Sequence, residues 1–514
     1  MRILVASWGN PADWRTVTYE LSDPDRRIRL EKKSISTLGI LREYLKRTGG
    51  IRKTLIFVQD SSIPYLAVED ESRVTYEDIE NSVKKYYEEV IRTQILPDER
   101  GNVDLDIVVV PAVGSFTPES RVSLSGRRVR RVELQGRSLE DYYALVAKKL
   151  ADHVVQVLRH PDRSSDSGGR SPPSIEFHVD LSHGINYAPA LLLSAVEDIA
   201  GVLDATLGGV EIVAYNSEPV QAIRVSSRQQ VRIHFTNLPV TPIFRIKLFD
   251  DLDKLHSPSK YLISDHPDVA SEIPPPDEDL FRHQLLSGAV AAGCPLLIVT
   301  LMTELLEIEG SIAEKWLNWA ESFYKLNQVI KISRNSDGTL NLAVYSRSRL
   351  NQAVVKLSEL FILEQALSSH GSIRKKSKDL EASGLISLEE LEDMVKNLAI
   401  FSKRPALKER ALVEIDRIAK AAYAGKPIPC GSPIVLAKLM QRKRAGSPSQ
   451  DPTKRRRNIL AHSCLERNVI EVCHEKEAAD VGDIKHVKLR IIRDDGKVYE
   501  VYRAVLTELG YKVP

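Results

Sequence analysis

Apolar residues fall in two different rhythms along this chain. Over positions 1–235, short apolar runs alternate with longer stretches in which apolar residues recur every three to four places. The runs at 2–7, 54–59, 106–111, 175–181 and 209–215 have the length and composition of strands buried on both faces. Between them, 33–48, 76–94, 138–158 and 189–200 carry helical periodicity. Strand, helix and strand in this order predict a mostly parallel sheet with helices on both faces. The Ser-, Gly- and Pro-rich stretch 162–173 reads as a surface loop leading into the fourth strand.

A further β element or domain exit is expected over 230–250, and a linker follows, marked by Pro267 and the run Pro274-Pro275-Pro276. Beyond it the rhythm is helical, with helices predicted at 280–292, 311–326, 350–367, 387–400, 406–423 and 433–441. Two hairpins are predicted to interrupt them, turning at Asn335-Ser336-Asp337-Gly338 and at Asp494-Asp495-Gly496-Lys497. No internal repeat is evident. The expected organisation is an α/β Rossmann-like domain over 1–235, a connecting element over 236–280 and a mainly α-helical domain with β-hairpin insertions over 281–514.

Composition narrows the function classes. A chain of 514 residues, 43% hydrophobic and 28% charged, is a multi-domain globular protein rather than a disordered or fibrous one. A net charge of +2 means that any site for a polyanion must be built locally. The cysteines, at 294, 430, 464 and 473, are few, irregularly spaced and without a CxxC pair, which favours neither a disulfide framework nor a zinc site. The first residues, MRILVASWGN, read as a strand rather than a signal peptide, and no run approaches the ~20 apolar residues of a membrane span, so a cytoplasmic location is expected. Abundant Lys, Arg and Glu with few Cys and Met lean toward a thermophilic source.

In open parallel sheets, ligands bind beyond the carboxyl ends of the strands. Distinctive residues stand at those ends: Ser7, Trp8, Gly9 and Asn10, then Trp14, after the first strand; Asp60 and Ser61 after the second; Gly114 and Ser115 after the third. The fourth ends in Asp180-Leu181-Ser182-His183-Gly184-Ile185-Asn186-Tyr187, running into a helix. Gly184 would let backbone approach a ligand closely, amides at a helix start favour phosphate, and Ser182, His183 and Asn186 add polar groups. The stretch is not Gly-x-Ser-x-Gly, Gly-x-Gly-x-x-Gly or a P-loop, so a hydrolase elbow and the common dinucleotide and NTP sites are disfavoured. These residues alone leave a small-anion or nucleotide site and an ordinary set of polar turns both open.

The pair of motifs, Ser-Trp-Gly-Asn-Pro with a nearby Trp and Val-Asp-Leu-Ser-His-Gly-Ile-Asn-Tyr, resembles the CARF domain, the CRISPR-associated Rossmann-like sensor. The resemblance implies a homodimer whose two crevices face each other across a two-fold axis and together bind a cyclic oligoadenylate, cyclic tetra-adenylate being the expected ring. A symmetric ring suits an isologous dimer, since each protomer meets half of it identically.

In the second half, Asp451-Pro452 is a good helix opening, and Lys454, Arg455, Arg456 and Arg457 follow within two turns. Cations there oppose the helix dipole and repel one another, so stability does not explain them, whereas a phosphate would. Asn458 and His462, four apart, share a helix face; Arg457 lies about 140° from His462, within reach of a long side chain or facing a second protomer. Imidazole moves protons near neutral pH and guanidinium holds phosphate, a combination suited to cleaving RNA without a metal, since RNA brings its own 2′-hydroxyl nucleophile. A basic solvated helix start with an ordinary histidine is the alternative. The motif Arg-Asn-x-x-x-His after a basic loop resembles the HEPN ribonuclease signature, and a CARF-like module before a HEPN-like one is the layout of the accessory ribonucleases of type III CRISPR systems. That layout implies a composite active site in a homodimer, or a higher oligomer of dimers, with Arg457, Asn458 and His462 from each protomer. It also implies single-stranded RNA as substrate, Lys454, Arg455 and Arg456 on its backbone, 2′,3′-cyclic phosphate and 5′-hydroxyl products, and no metal or other cofactor.

Other features read as structure: Trp316 and Trp319 as packing, Leu357, Leu360, Phe361 and Glu364 as one buried helical face, and His474 beside Cys473 as no metal ligand. The competing function is a ligand-sensing regulator that binds nucleic acid without cutting it. A third reading has the first module slowly hydrolysing its own ligand through Ser7, Asn10 and His183.

Overall fold

A computed structural model describes residues 1–62, 65–66, 74–97, 104–116, 123–124, 127–160, 174–184, 187–219, 230–256, 258–264, 278–306, 310–423, 428–440, 452–475, 486–492 and 495–512. Its first half is an eight-stranded sheet. The strands are β1 (Arg2–Trp8), β2 (Val17–Asp23), β3 (Ile28–Ser34), β4 (Lys53–Gln59), β5 (Leu105–Val110), β7 (Ile175–Asp180), β8 (Val210–Ser217) and β9 (Gln230–Leu238), with β6 (Arg127–Gln135) lying outside this sheet. The spatial order is β3-β2-β9-β8-β7-β1-β4-β5. The five strands β8-β7-β1-β4-β5 run parallel, while β9 on β8 and β3 on β2 are antiparallel. The central strands are apolar on both faces because helices cover both; β1 is buried from Ile3 through Trp8.

The helices of this half are α1 (Leu38–Thr48), α2 (Tyr76–Val90), α3 (Leu139–Arg159) and α4 (Tyr187–Thr206). Capping boxes start two of them: Thr75 with Asp78 for α2, and Ser138 with Asp141 for α3. The expectation of a helix over 33–48 is corrected at its start. Positions 17–34 form the β2–β3 hairpin, whose residues Val17, Tyr19 and Leu21 alternate inward.

The second half is helix-rich. It contains α5 (Glu278–Ala292), α6 (Pro295–Leu306), α7 (Ile312–Leu326), α8 (Gln352–Ser369), α9 (Gly371–Ser383), α10 (Leu388–Asn397), α11 (Pro405–Tyr423), α12 (Pro452–Ala461) and α13 (Asp495–Glu508). The predicted turn at 335–338 joins the hairpin β10 (Gln328–Arg334) and β11 (Leu340–Ser346). The predicted turn at 494–497 is not a hairpin. Asp495, Gly496 and Lys497 open α13, and β13 (Val487–Ile491) pairs instead with β12 (Ile470–His474) on one side and with Ile386–Ser387 on the other.

The two halves share one interior. Strand β11 extends a second sheet by pairing in parallel with β6, aligning Leu342 with Val132. One apolar cluster runs from Ile3 and Phe177 of the large sheet, through Val154 and Ile199, to Leu360 of α8 and Leu296 of α6. Lys148 of α3 reaches Glu321 of α7 at 2.6 Å with its ammonium 3% exposed. The expectation that the cysteines favour no disulfide framework is also corrected: Cys294 is bonded to Cys464, and Cys430 to Cys473. Their partners lie 170 and 43 residues apart, spacings that carry no local pattern. No described helix is long and apolar enough to cross a membrane.

Candidate functional site

Two cavities hold the residues singled out by chemistry. The first, about 590 Å³, opens at the carboxyl ends of β1, β7 and β8, and its lining includes Trp14, Arg15, Tyr19, Ser182, His183 and Gly184. His183 is its centre. The Trp14 ring lies 4.5 Å from the imidazole centroid, Tyr19 Oη is 3.4 Å from Nε2, and the Thr37 amide donates to Nε2 at 3.2 Å. An Nε2 that accepts leaves the proton on Nδ1. Burial disfavours the imidazolium and lowers the His183 pKa, against the opposing pull of the Asp180 carboxylate.

The neighbouring residues sort into those that face this cavity and those that build it. Asp180 is buried, accepting from Thr37 Oγ1 at 2.6 Å and from the Ser182 amide at 3.0 Å, so it shapes the turn rather than facing the opening. Ser182 lines the cavity while its Oγ accepts from the Ser217 amide at 3.0 Å. Gly184 also lines it, but its closest approach is to protein: a Cβ there would come within 2.1 Å of Pro189 Cγ. Ser7 points inward toward Tyr142 Oη, 3.4 Å away. Trp8 is 1% exposed and packs edge-on against Trp14. The Gly9 amide donates to the His183 carbonyl at 2.8 Å, and Asn10 caps the short helix Pro11–Asp13. Within one protomer these four, expected as ligand contacts, pack beneath or beside the crevice, and none of them is in its lining.

Ser61 is half-buried and Gly114 exposed at the other carboxyl ends, and neither lines this cavity. Ser115 lies in a short strand paired with Glu133, its side chain outside the described residues, and Asn186 lies outside them altogether. Residue chemistry missed Tyr19, Arg15 and Asn216, which line the cavity. Tyr19 was legible as an inward position of an alternating strand, but nothing local aims it at His183. The lining also carries Asp13 and Glu218, so Arg15 is outnumbered by carboxylates within one protomer.

The second cavity, about 200 Å³, lies between α11 and α12 and is lined among others by Glu414, Arg417, Asn458, His462, Glu466 and Arg467. Helix α12 ends at Ala461, and His462 takes the following turn with its amide still donating to the Asn458 carbonyl at 3.0 Å. His462 Nδ1 donates to Glu414 Oε1 at 2.8 Å, the carboxylate being 11% exposed. A carboxylate only accepts, so Nδ1 carries the proton and Nε2 is left for chemistry.

Asn458 joins His462 in this cavity, as their four-residue spacing implied. Arg457 is exposed and does not line it. The guanidiniums beside His462 within one protomer belong instead to Arg417 and Arg467, which the sequence reading did not single out. Arg417 lies 3.6 Å from the second oxygen of Glu414. Pro452 opens α12 as expected, while Asp451 and the side chains of Lys454 and Arg455 lie outside the described residues; Arg456 is half-buried. Among the described residues, no group of three His, Cys, Asp or Glu is placed to hold a metal ion.

The chain thus joins a mostly parallel Rossmann-like sheet, with a histidine-centred crevice at its carboxyl ends, to a helix-rich half. Residues 3–219 match the family model described as the CARF domain of the CRISPR system endoribonuclease Csx1. The chain is also similar to the CRISPR system endoribonuclease Csx1 of Methanocaldococcus jannaschii, with 27% identity over 219 residues. That match spans 42% of this chain and only 37% of the relative's length. The N-terminal half is thus similar to the CARF domain of Csx1, and the chain spans well under two thirds of that relative's length.

Proposed function

We propose that this protein is an endoribonuclease of CRISPR antiviral defence, activated by a cyclic oligoadenylate bound between two copies of its CARF domain. The observation that carries the catalytic half is the hydrogen bond between Glu414 and His462 inside a cavity that also holds Asn458 and two guanidiniums. With Nδ1 tied to Glu414, Nε2 of His462 is free to take the 2′-hydroxyl proton or to protonate the leaving 5′-oxygen. The attacking 2′-oxygen then forms a 2′,3′-cyclic phosphate, and the broken bond leaves a 5′-hydroxyl. Arg417 and Arg467 offer charge to the phosphate from within the protomer, and exposed Arg457 offers it across a two-fold axis to the partner. Such a site has no step that demands a metal.

The CARF cavity supports an aromatic-lined ligand site, with the Trp14 and His183 rings for a base and Arg15 with neighbouring polar groups for phosphate. The carboxylates of Asp13 and Glu218 make a lone polyphosphate a poor fit to one protomer; a ring shared by two copies meets each lining only in part. Activation follows if the ring binds more tightly to the dimer arrangement with competent catalytic cavities.

The test is cleavage of a single-stranded RNA in EDTA, with and without cyclic tetra-adenylate or cyclic hexa-adenylate. Wild type is expected to cut only with a ring present, and His462→Ala to lose activity by about a hundredfold or more. Cleavage abolished by EDTA, or unchanged in His462→Ala, contradicts the mechanism.

A further inference from the structure

A third cavity of about 580 Å³, with a lining distinct from the other two, lies where the connecting segment crosses the helical half, lined among others by Phe244, Arg245, Arg404, Leu407, Arg410 and Leu460. Three guanidiniums converge there against one carboxylate, Glu508, which is already engaged by Arg245. Arg404 lies over the Phe244 ring, 4.1 Å from its centroid, and donates to the carbonyls of Ile400, Ala291 and Val290. Arg410 donates to the Ala292 carbonyl at 3.0 Å and to Ser463 Oγ at 3.1 Å. A guanidinium has five N–H groups in a planar fork, so these bonds leave N–H groups on both residues for a further acceptor.

Capping the carbonyls at the end of α5 explains one cation here, not three gathered around an open space. Burial lowers the Arg404 pKa to about 10, and repulsion from Arg245 and Arg410 adds to it, against the weaker help of Glu508. Arg410 is shifted the same way by burial. An excess of cations in a half-buried cleft is relieved by an anion that accepts from several guanidiniums at once. The lining also includes the apolar side chains of Leu407, Leu460 and Ile243, so inorganic phosphate would leave much of the space unfilled. The volume lies within the range of small-molecule sites.

We propose that this cleft is a binding site for a nucleotide-sized organic phosphate, separate from the CARF crevice and from the His462 cavity. The phosphate accepts from Arg404, Arg410 and Arg245, and the base lies against Leu407 and Leu460. Binding of this kind does not depend on the ribonuclease reading.

The experiment is calorimetric titration of the full chain with adenosine 5′-monophosphate and, separately, with inorganic phosphate. Wild type is expected to bind the nucleotide at least about tenfold more tightly than phosphate, since only the nucleotide uses the apolar lining. Arg245→Glu, at a side chain 65% exposed and so tolerated by the fold, is expected to weaken binding by about tenfold or more. Leu407→Trp, which fills the cleft, is expected to do the same. Glu508→Gln, which removes the one carboxylate, is expected to tighten binding, a direction that a merely structural role would not produce. Trp14→Ala, in the CARF crevice, is expected to leave this binding unchanged. No nucleotide binding by wild type, equal affinity for phosphate, unchanged affinity in Arg245→Glu and Leu407→Trp, or loss confined to Trp14→Ala would each overturn the proposal.

Discussion

In the proposed reaction His462 acts through Nε2, the nitrogen that Glu414 does not hold. Removing the carboxylate frees the ring to rotate and removes the charge that favours an imidazolium during proton transfer. Glu414→Gln keeps the size and an acceptor but not the charge, so RNA cleavage is expected to fall about tenfold, and Glu414→Ala about a hundredfold, chiefly in kcat with KM little altered. Equal kcat in all three proteins would show that the bond is only structural. The sharing of a face by Asn458 and His462 was legible from their spacing, because helical periodicity is local. Glu414 stands 48 residues earlier on another helix, so nothing in the neighbourhood of His462 pointed to it. The same reason hid Tyr19 behind His183. It also hid the inward packing of Ser7 and Trp8, since β1 is buried on both faces and the end of such a strand can turn inward as readily as toward a ligand.

Helix α12 is held at its exit. Ser463 and Cys464 adopt left-handed backbone, φ of 49° and 57°, which is unfavourable for residues with a Cβ. Two bonds hold them there: Ser463 Oγ accepts from Arg410, and Cys464 is joined to Cys294 at the corner between α5 and α6. Closing a loop of 170 residues restricts the unfolded chain strongly, by about 5 kcal/mol in the chain-entropy account. Treatment with a strong thiol reductant, or Cys464→Ser, is therefore expected to lower the melting temperature by several degrees. A melting curve unaffected by both would show that this crosslink contributes nothing. Helix α6 was passed over in the sequence because PLLIVTLMTELL is buried almost all round and so lacks an amphipathic rhythm. The false hairpin at 494–497 arose because Asp-Gly is a strong turn signal; only the pairing of β13 with β12 on one side and with Ile386–Ser387 on the other shows that both its edges are already taken by distant strands.

Across the whole molecule, the α/β half and the helical half are coupled by buried polar groups as well as by apolar packing. Arg137, wholly buried, bonds Asp60 Oδ2 at 2.6 Å and Gln328 Oε1 at 2.9 Å, tying the end of β4 to the first residue of β10. Glu359 of α8 is 0% exposed; Lys356 donates to its Oε1, and Oε2 has no hydrogen-bond partner among the described residues. Burial pushes its pKa up to about 7, despite the pull of Lys356. A carboxyl raised in the folded state contributes most to stability below its unfolded pKa of about 4.3, and that contribution falls as pH rises toward about 7. Wild type is accordingly expected to lose stability relative to Glu359→Gln between about pH 5 and pH 7, at roughly 1.4 kcal/mol per unit at most. Urea unfolding of both proteins across that range measures the difference, and parallel pH curves would contradict it. The halves had been divisible by rhythm, but the pairing of β11 with β6 joins segments about 200 residues apart, a join no window along the chain registers.

By itself the sequence determined the parallel strands, most of the helices, the change of rhythm between the halves and the two motifs that drew attention to His183 and His462. These follow from periodicity and short-range backbone preference, which are written in neighbouring residues. The tertiary structure alone decided which polar residues face a cavity, which histidine nitrogen remains available, which cysteines meet and where three arginines converge. Those outcomes depend on how distant surfaces fill space against one another, and packing of that kind leaves no local period to read.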